Sequence, residues 1–335
     1  MGKLPHELLA ELLAAAPLDD ADVVVGPGIG FDCAVVSVGD RYLVFKSDPI
    51  TFATDELGWY LVQVNVNDLA TTGARPRWML VTLLLPERAT SRSLVSELSE
   101  QIYGACRNLG IAVVGGHTEV TYGLERPIAV GALIGEVSPD KLVTPAGMTP
   151  GDKLILTKGV PIEATSILAR EFAERLEERY GAKEIERAAN YLYDPGISVF
   201  EDAQTALAAG RVTAMHDPTE GGLAAALWEI AEAAQMSLVV EPQAIPVPAL
   251  AAKVCSFFDI DPLAAIASGA LLLAVRPDDA GKVLAALEEK QIVAAIIGEA
   301  EEGAVNVWQK ENGRRAPLDR PERDAIAQLF ETLDG

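Results

Sequence analysis

The polar side chains that could do chemistry gather in five short segments of the sequence. The first is Gly26-Pro27-Gly28-Ile29-Gly30-Phe31-Asp32. Glycines without a Cβ let backbone N–H groups come close to an anion, so Gly28 and Gly30 are candidate phosphate contacts. Asp32 follows at the mouth of a strand, where a carboxylate can hold a divalent metal. The spacing is neither that of a P-loop nor that of a dinucleotide fingerprint, because no Gly-Lys-Ser/Thr follows and a strand comes next. On the motif alone a plain structural turn is the alternative. The second segment is Lys46-Ser47-Asp48-Pro49-Ile50-Thr51. Asp48 is expected to end an apolar strand that Pro49 stops, a setting common for turn residues. Lys46 could meet a phosphate as a point charge or run its stem to solvent.

The third segment, Asn65-Val66-Asn67-Asp68, lies in an otherwise apolar helical stretch. Asn65 and Asp68 are three residues apart and share a helix face. Polar groups among Leu and Val need partners; a metal or a ribose would satisfy them, and so would capping or an exposed stripe. The fourth is Gly115-Gly116-His117-Thr118-Glu119, where a buried strand is expected to open into a glycine pair. The fifth is His216-Asp217-Pro218-Thr219-Glu220-Gly221-Gly222, between a strand and a helix. There Thr219 or Asp217 can cap the helix, and the helix N-terminus with Gly221 and Gly222 makes an anion seat. Two of the three histidines fall in these two segments, both read as Gly-Gly turns. Asp68, His117 and His216 are the candidates for the catalytic step; a buried or capping histidine is the alternative for the latter two.

Together the five segments describe carboxylates for Mg²⁺, backbone nests for phosphate and no activated nucleophile. There is no Gly-x-Ser-x-Gly and no His-Glu-x-x-His, so serine hydrolase and zincin chemistry has no local support. Phosphoryl transfer needs mainly positioning and charge neutralisation, which such residues can supply.

The elements that must position these residues alternate in type. A short amphipathic helix over Pro5–Ala16 precedes strands at 23–25, 33–38 and 42–46, with Gly39-Asp40 as a hairpin turn. Helices are expected over 56–72 and 91–109, the second stopped by Gly110, with strands at 79–85, 111–114 and 128–137 between and after them. The Pro-, Gly- and Thr-rich stretch 139–152 marks the domain boundary, giving domains 1–148 and 149–335. The second half reads as strands near 153–157, 212–215, 238–240, 270–275 and 292–297. Helices fall near 163–179, 183–192, 198–209, 223–234, 250–256 and 278–289. The pattern is mixed α/β.

The chain has 335 residues, half of them hydrophobic, enough for two cores. Its formal net charge of −22 repels phosphate backbones, which argues against nucleic acid as a partner. It does not exclude ATP, because a local Mg²⁺ and a few aimed N–H groups bind phosphate inside a negative field. Cys33, Cys106 and Cys255 are far apart and sit in apolar surroundings, as buried small hydrophobes. No apolar run is long enough to span a bilayer and no leader is evident, so no membrane partner and a cytoplasmic location are expected.

The order of the motifs carries a resemblance. Gly-Phe-Asp-Cys-Ala-Val-Val at 30–36, Ser-Asp-Pro-Ile-Thr at 47–51 and Val-Asn-Asp-Leu-Ala-Thr-Thr-Gly-Ala at 66–74 come first. Gly-Gly-His-Thr-Glu at 115–119, His-Asp-Pro-Thr-Glu-Gly-Gly-Leu at 216–223 and Ser-Gly-Ala-Leu-Leu at 268–272 follow. The sequence resembles the superfamily of AIR synthetase, HypE, thiamine-monophosphate kinase and selenophosphate synthetase over nearly its whole length, and the Asp-Pro-Thr-x-Gly-Gly segment points to the HypE branch. The resemblance implies a two-domain PurM-like α/β fold whose N-terminal domain forms a barrel across a homodimer, with Mg·ATP as cofactor. By position, Asp32, Asp48, Asp68 and Asp217 would be metal or phosphate-site carboxylates, with Asn65 lining the same site. Lys46, Gly115 and Gly116 join Asn65, Gly28, Gly30, Thr219, Gly221 and Gly222 as expected ATP and phosphate contacts. Members phosphorylate an oxygen or another nucleophilic atom, often an amide-type oxygen that then leaves. The implied partners are a small-molecule substrate and hydrogenase maturation proteins.

Two departures stand out. HypE ends in a cysteine that carries the group to be dehydrated, whereas this sequence ends Glu331-Thr332-Leu333-Asp334-Gly335 and its last cysteine is Cys255. The expectation is that it does not perform that reaction on its own tail. His117 stands where HypE has an Asp and AIR synthetase a Glu, which changes one anionic contact. No N-terminal Cys–Lys pair of the selenophosphate synthetase kind is present. A small-molecule kinase and a non-catalytic nucleotide-binding assembly factor are the alternative functions.

Overall fold

The computed structural model describes residues 6–28, 30–51 and 55–334. Pro5, expected to open the first helix, and Ile29 of the glycine loop lie outside the described residues. The chain forms two compact units. The first holds Pro17–Pro27 and Asp32–Leu142; the second holds Met1–Ala16, Gly28–Phe31 and Val143–Gly335.

Helix α1 (His6–Ala14) groups with the second unit. The first unit contains strands β1 (Val23–Val25), β2 (Ala34–Val38) and β3 (Arg41–Ile50), helix α2 (Leu57–Thr71) and strand β4 (Arg75–Pro86). Helix α3 (Arg92–Leu109) and strands β5 (Ala112–Thr121) and β6 (Ile128–Val137) complete it. Its sheet has the order β1-β2-β3-β6-β4-β5, antiparallel except for the β4–β5 pair. The β2–β3 turn closes at Val38 and Arg41 around Gly39, whose φ of 64° suits a two-residue hairpin loop. Ser91 caps α3 by accepting the Leu94 N–H at 3.2 Å, and Gly110 ends the helix in the left-handed region.

Helix α2 packs across β3, β4 and β6. Along β6 every second residue, Ala129 through Val137, is buried under that helix. Gly131 and Gly135 are the small residues that admit it: a Cβ on Gly135 would lie 2.7 Å from a Leu69 methyl. The opposite sheet face is apolar and bears Phe45 and Leu80, 39% and 41% exposed, beside half-buried Val130, Ala132 and Ile134. Among the described residues the sheet is open, with β1 and β5 as its edges.

Two strands run further than the sequence suggested. Strand β3 continues through Asp48 and Pro49, which pairs with Val130 of β6. Strand β2 reaches only as far as Phe45, so Pro49 lies where β3 has a single neighbour and a missing N–H is tolerated. Strand β5 continues through Gly115 and Gly116 to Thr121, so this glycine pair is not a turn. Its pairing with β4 shifts register beside Met79, and Gly116 adopts a φ of 143° with the Val81 carbonyl where a Cβ would be. The glycines therefore serve an irregularity inside a strand.

The second unit contains β7 (Lys153–Thr157), α4 (Ile162–Glu171), α5 (Ala173–Tyr180), α6 (Ala182–Ala189), α7 (Phe200–Ala209), β8 (Val212–His216), α8 (Gly222–Ala234) and β9 (Ser237–Val240). It continues with α9 (Ala249–Phe257), β10 (Leu272–Val275), α10 (Pro277–Glu289), β11 (Ala294–Glu301), β12 (Asn306–Glu311), β13 (Arg314–Pro317) and α11 (Ala325–Asp334). The seven strands take the order β13-β12-β9-β11-β7-β10-β8. Leu154, Leu156, Leu238, Val240 and Leu272 of the sheet form one core with Leu223, Leu227 and Ile230 of α8. A second core joins α4, α5, α6, α9 and α11 through Leu168, Leu176, Ile185, Val254 and Ile326. The single helix expected over 163–179 breaks at Phe172, whose ring stacks against Phe330 and packs at a tilt against Phe258. The architecture is mixed α/β throughout, as the element pattern predicts. No helix among the described residues is long and apolar enough to cross a membrane.

Candidate functional site

In the first unit, strand alternation places Val44, Lys46, Asp48 and Ile50 of β3 on the face beneath α2. Helix α2 lowers Asp68 onto the same place. The Lys46 Nζ lies 2.8 Å from Asp68 Oδ2 and 3.2 Å from Asp48 Oδ2. Its side chain is 12% exposed, so Lys46 does not run out to solvent. Burial opposes the ammonium, but the negative charges of Asp68, Asp48 and Asp32 outweigh it and hold the lysine pKa well above its ordinary value. Three carboxylates thus act on one ammonium.

Asn65, fully buried, pins this geometry. Its Oδ1 accepts the Asp48 backbone N–H at 3.1 Å, and its Nδ2 donates to the Leu61 carbonyl at 2.8 Å. Asn65 therefore ties the β3 backbone at Asp48 to α2. Gly131 makes room: a Cβ there would come 2.8 Å from Asn65 Nδ2 and 2.6 Å from Met79 Cε. The hard oxygen donors of Asp32, Asp48 and Asp68 suit Mg²⁺. Lys46, a cation already seated between two of them, shows that the place stabilises positive charge.

His117 stands apart from this cluster. It sits on edge strand β5, three strands from β3 and about 14 Å away by strand spacing. It is exposed, its Nε2 meets Glu119 Oε2 at 3.1 Å, and Glu119 Oε1 accepts the Thr121 hydroxyl at 2.9 Å. Those contacts hold the Glu119 carboxyl below the usual range. Gly115 and Gly116 lie on the same strand and are occupied by its pairing with β4.

In the second unit, β8 ends at His216, whose Nε2 lies 2.7 Å from Glu229 Oε2 of α8. His216 and Asp217 are both buried. Helix α8 starts after Gly221, and neither Thr219 nor Asp217 is its N-cap. A side chain from far along the chain intervenes instead: Asp324 Oδ2 accepts the Gly221 N–H at 2.8 Å, while Asp324 Oδ1 accepts from Ile326 at 2.8 Å. Thr219 holds the turn through its carbonyl, which accepts the Gly222 N–H at 2.9 Å. Gly222 has a φ of 62°, and a Cβ there would press on the carbonyls of Leu263 and Ala265. Gly30 packs as closely: with φ 76°, its Cβ would lie 2.9 Å from the Glu229 carbonyl oxygen. A Cβ on Gly28 would meet the Phe31 ring at 3.1 Å.

Around the same turn stands a carboxyl that the motifs did not single out. Glu163, in the first turn of α4, is buried, and burial pushes its pKa up to about 7 against hydrogen bonds from Ser268. Asp324 and Glu220 add negative charge to its surroundings, and Asp324 is itself raised by burial. Gly131, Glu163, Glu229 and Asp324 were all missed by the motif reading. Only Gly131 had a sequence signal, as one of two glycines four apart on the buried side of an alternating strand.

The model of the AIR synthase related protein, N-terminal domain, matches residues 30–137, and that of the C-terminal domain matches residues 149–309. A carbamoyl dehydratase HypE of Bradyrhizobium diazoefficiens is 30% identical over 274 residues, spanning 79% of this chain and 74% of that protein. The chain belongs to the AIR synthase-related family, in its HypE branch. A protein of Methanocaldococcus jannaschii named for hydrogenase expression and formation is 28% identical over 342 residues, spanning 98% of this chain and 97% of its own. A crystal structure of the hydrogenase maturation protein HypE in complex with ATP superposes with a TM-score of 0.71 at 24% identity, over 94% of this chain and 90% of that one. The family's two domain models thus cover both the Lys46–Asp48–Asp68 cluster and the His216–Gly222 turn.

Proposed function

We propose that this AIR synthase-related protein binds Mg·ATP and transfers its γ-phosphoryl group to an oxygen of a small substrate, in the service of hydrogenase maturation. The observation that carries the proposal is the seating of Lys46 among Asp32, Asp48 and Asp68. Carboxylates that converge on one place can hold a Mg²⁺ that also binds the phosphates of a nucleotide. When bound, the metal would neutralise charge that develops on the phosphate oxygens. Asp32, Asp48 and Asp68 would hold it, Asn65 would keep the Asp48 backbone fixed to α2, and Lys46 would face phosphate as a point charge.

In the second unit the N-terminus of α8 turns a positive dipole end toward the preceding loop, while the Gly221 and Gly222 N–H groups are already taken by Asp324 and by the Thr219 carbonyl. Asp217 and Thr219 belong to the loop that leads into it from His216, the last residue of β8. Transfer to an amide-type oxygen would make a phosphate ester and ADP; loss of phosphate from that carbon would then remove the oxygen. The HypE relatives, named carbamoyl dehydratases, support this reaction class, and the ATP-bound HypE structure supports the nucleotide. The uncovered apolar face of the first unit's sheet supports a homodimer formed through that sheet.

The experiment is calorimetric titration of ATP into the protein with and without Mg²⁺, followed by phosphate release in the presence of carbamoyl-bearing and thiamine-type acceptors. Binding that needs Mg²⁺ and turnover with an acceptor support the proposal. Binding without turnover, on any acceptor or with maturation proteins added, replaces the enzyme by an assembly factor. Absence of nucleotide binding overturns the reading.

A further inference from the structure

Resting on the Mg·ATP reading of the first unit, we infer that Lys46 is a built-in cation that stands in for one divalent ion and so limits how many metals the cluster takes. The reasons lie in placement and charge. Lys46 sits inside β3, paired with Leu133 of β6, so its backbone is fixed by the sheet. Its stem reaches under α2 and delivers Nζ to 2.8 Å from Asp68 and 3.2 Å from Asp48, with 12% of the side chain exposed. That position, between two carboxylate oxygens and within the field of Asp32, is where a hard divalent cation would also settle.

An ammonium and a metal ion repel each other strongly at the few ångströms that separate such ligands. With Lys46 present, its ammonium already holds the place between Asp48 and Asp68 and offsets part of their negative field. Without it, three carboxylates remain, enough to draw a second ion or to hold the first more tightly. A lysine is suited to this role because its charge is compact and its stem flexible, so the ammonium can tilt toward phosphate when nucleotide arrives. A merely structural salt bridge joining β3 to α2 would make a different prediction: its removal would cost stability and leave metal binding unchanged.

The test measures metal alone. Mn²⁺ binding to the full-length protein, without nucleotide, is counted by electron paramagnetic resonance for the wild type, Lys46→Met and Lys46→Gln, with Lys46→Arg as the charge-keeping control. The expected result is one more Mn²⁺ per chain in the neutral variants, or an affinity at least about tenfold tighter. Lys46→Arg should keep the wild-type count. If one neutral variant does not fold, as judged by circular dichroism, the other carries the comparison. A neutral variant with the wild-type count and affinity overturns the inference. An ion gained in the variant supports it even where the wild type holds none. Nucleotide binding is titrated separately, and its absence counts against the proposed function, not against this role of Lys46.

Discussion

Asp324 accepts the backbone N–H of Gly221 at 2.8 Å, although the two residues are 103 positions apart. One carboxylate oxygen holds the turn before α8, and the other accepts the Ile326 N–H at the start of α11. Helix α11 is packed into its own core through Ile326, Leu329 and Phe330. The glycine turn is therefore tied to an anchored helix, which fixes where its N–H groups point. Asp324→Ala should cost about 1–3 kcal/mol of stability, the range for stranding a buried hydrogen-bond partner. It should also speed amide exchange at Gly221 and Gly222 beyond the global effect. Exchange there that merely tracks global stability would show that the turn holds itself.

Glu163 predicts a pH dependence of stability. Its folded pKa is raised from 4.5 to about 7, so between those values the native state keeps a proton that the unfolded chain has released. Stability from this group is fully present below 4.5 and is lost as pH rises through about 7. Glu163→Gln keeps the shape and removes the titration. Its melting temperature should gain on that of the wild type from pH 5 to pH 8, by a free energy on the order of 3 kcal/mol. A constant difference across that range would contradict the assignment.

Gly131 predicts a steric effect on Asp48 at second hand. A methyl at this position meets Asn65 Nδ2 at 2.8 Å, and Asn65 is held by Leu61 and Asp48. Gly131→Ala should destabilise the fold by about 1–3 kcal/mol, as overpacking does. It should also weaken Mn²⁺ binding. Gly123→Ala, at a glycine with no atom within 4 Å of the added methyl, is the comparison; its φ of 80° can lower stability, but metal affinity should stay.

His117 gives the opposite expectation. It is exposed, on β5, and three strands from Lys46. His117→Ala should leave Mn²⁺ affinity within about twofold of the wild type, since no contact to the cluster is lost. A tenfold loss would mean that the histidine reaches the metal by a route outside this chain's own sheet.

Much of this was legible in the sequence because the signals were local. Lys46, Asp48, Asn65 and Asp68 announced themselves as polar residues on apolar strand and helix faces, and burial leaves such groups no choice but to find one another. Gly39 and Gly110 marked a hairpin and a helix end correctly for the same reason: each needs a positive φ. The Gly115-Gly116 pair misled because glycines that permit a turn also permit a bulge, and only the neighbouring strand decides between them. Strands β12 and β13 escaped notice because their residues are largely polar, although Asn312-Gly313, at φ 48° and 76°, is a strong hairpin signal. Asp324 and Glu163 had no sequence signal, since their partners are set by tertiary packing.

The most direct test of the magnesium–nucleotide site is ATP titration in the presence of Mg²⁺ for the wild type and Asp68→Asn, a variant that keeps the size of the side chain and removes its charge. The site described here predicts Mg²⁺-dependent binding in the wild type and a loss of at least about tenfold in the variant, the cost of one removed charge contact to a metal. Equal affinity in the two proteins would contradict it, and would place any nucleotide away from Lys46, Asp48 and Asp68.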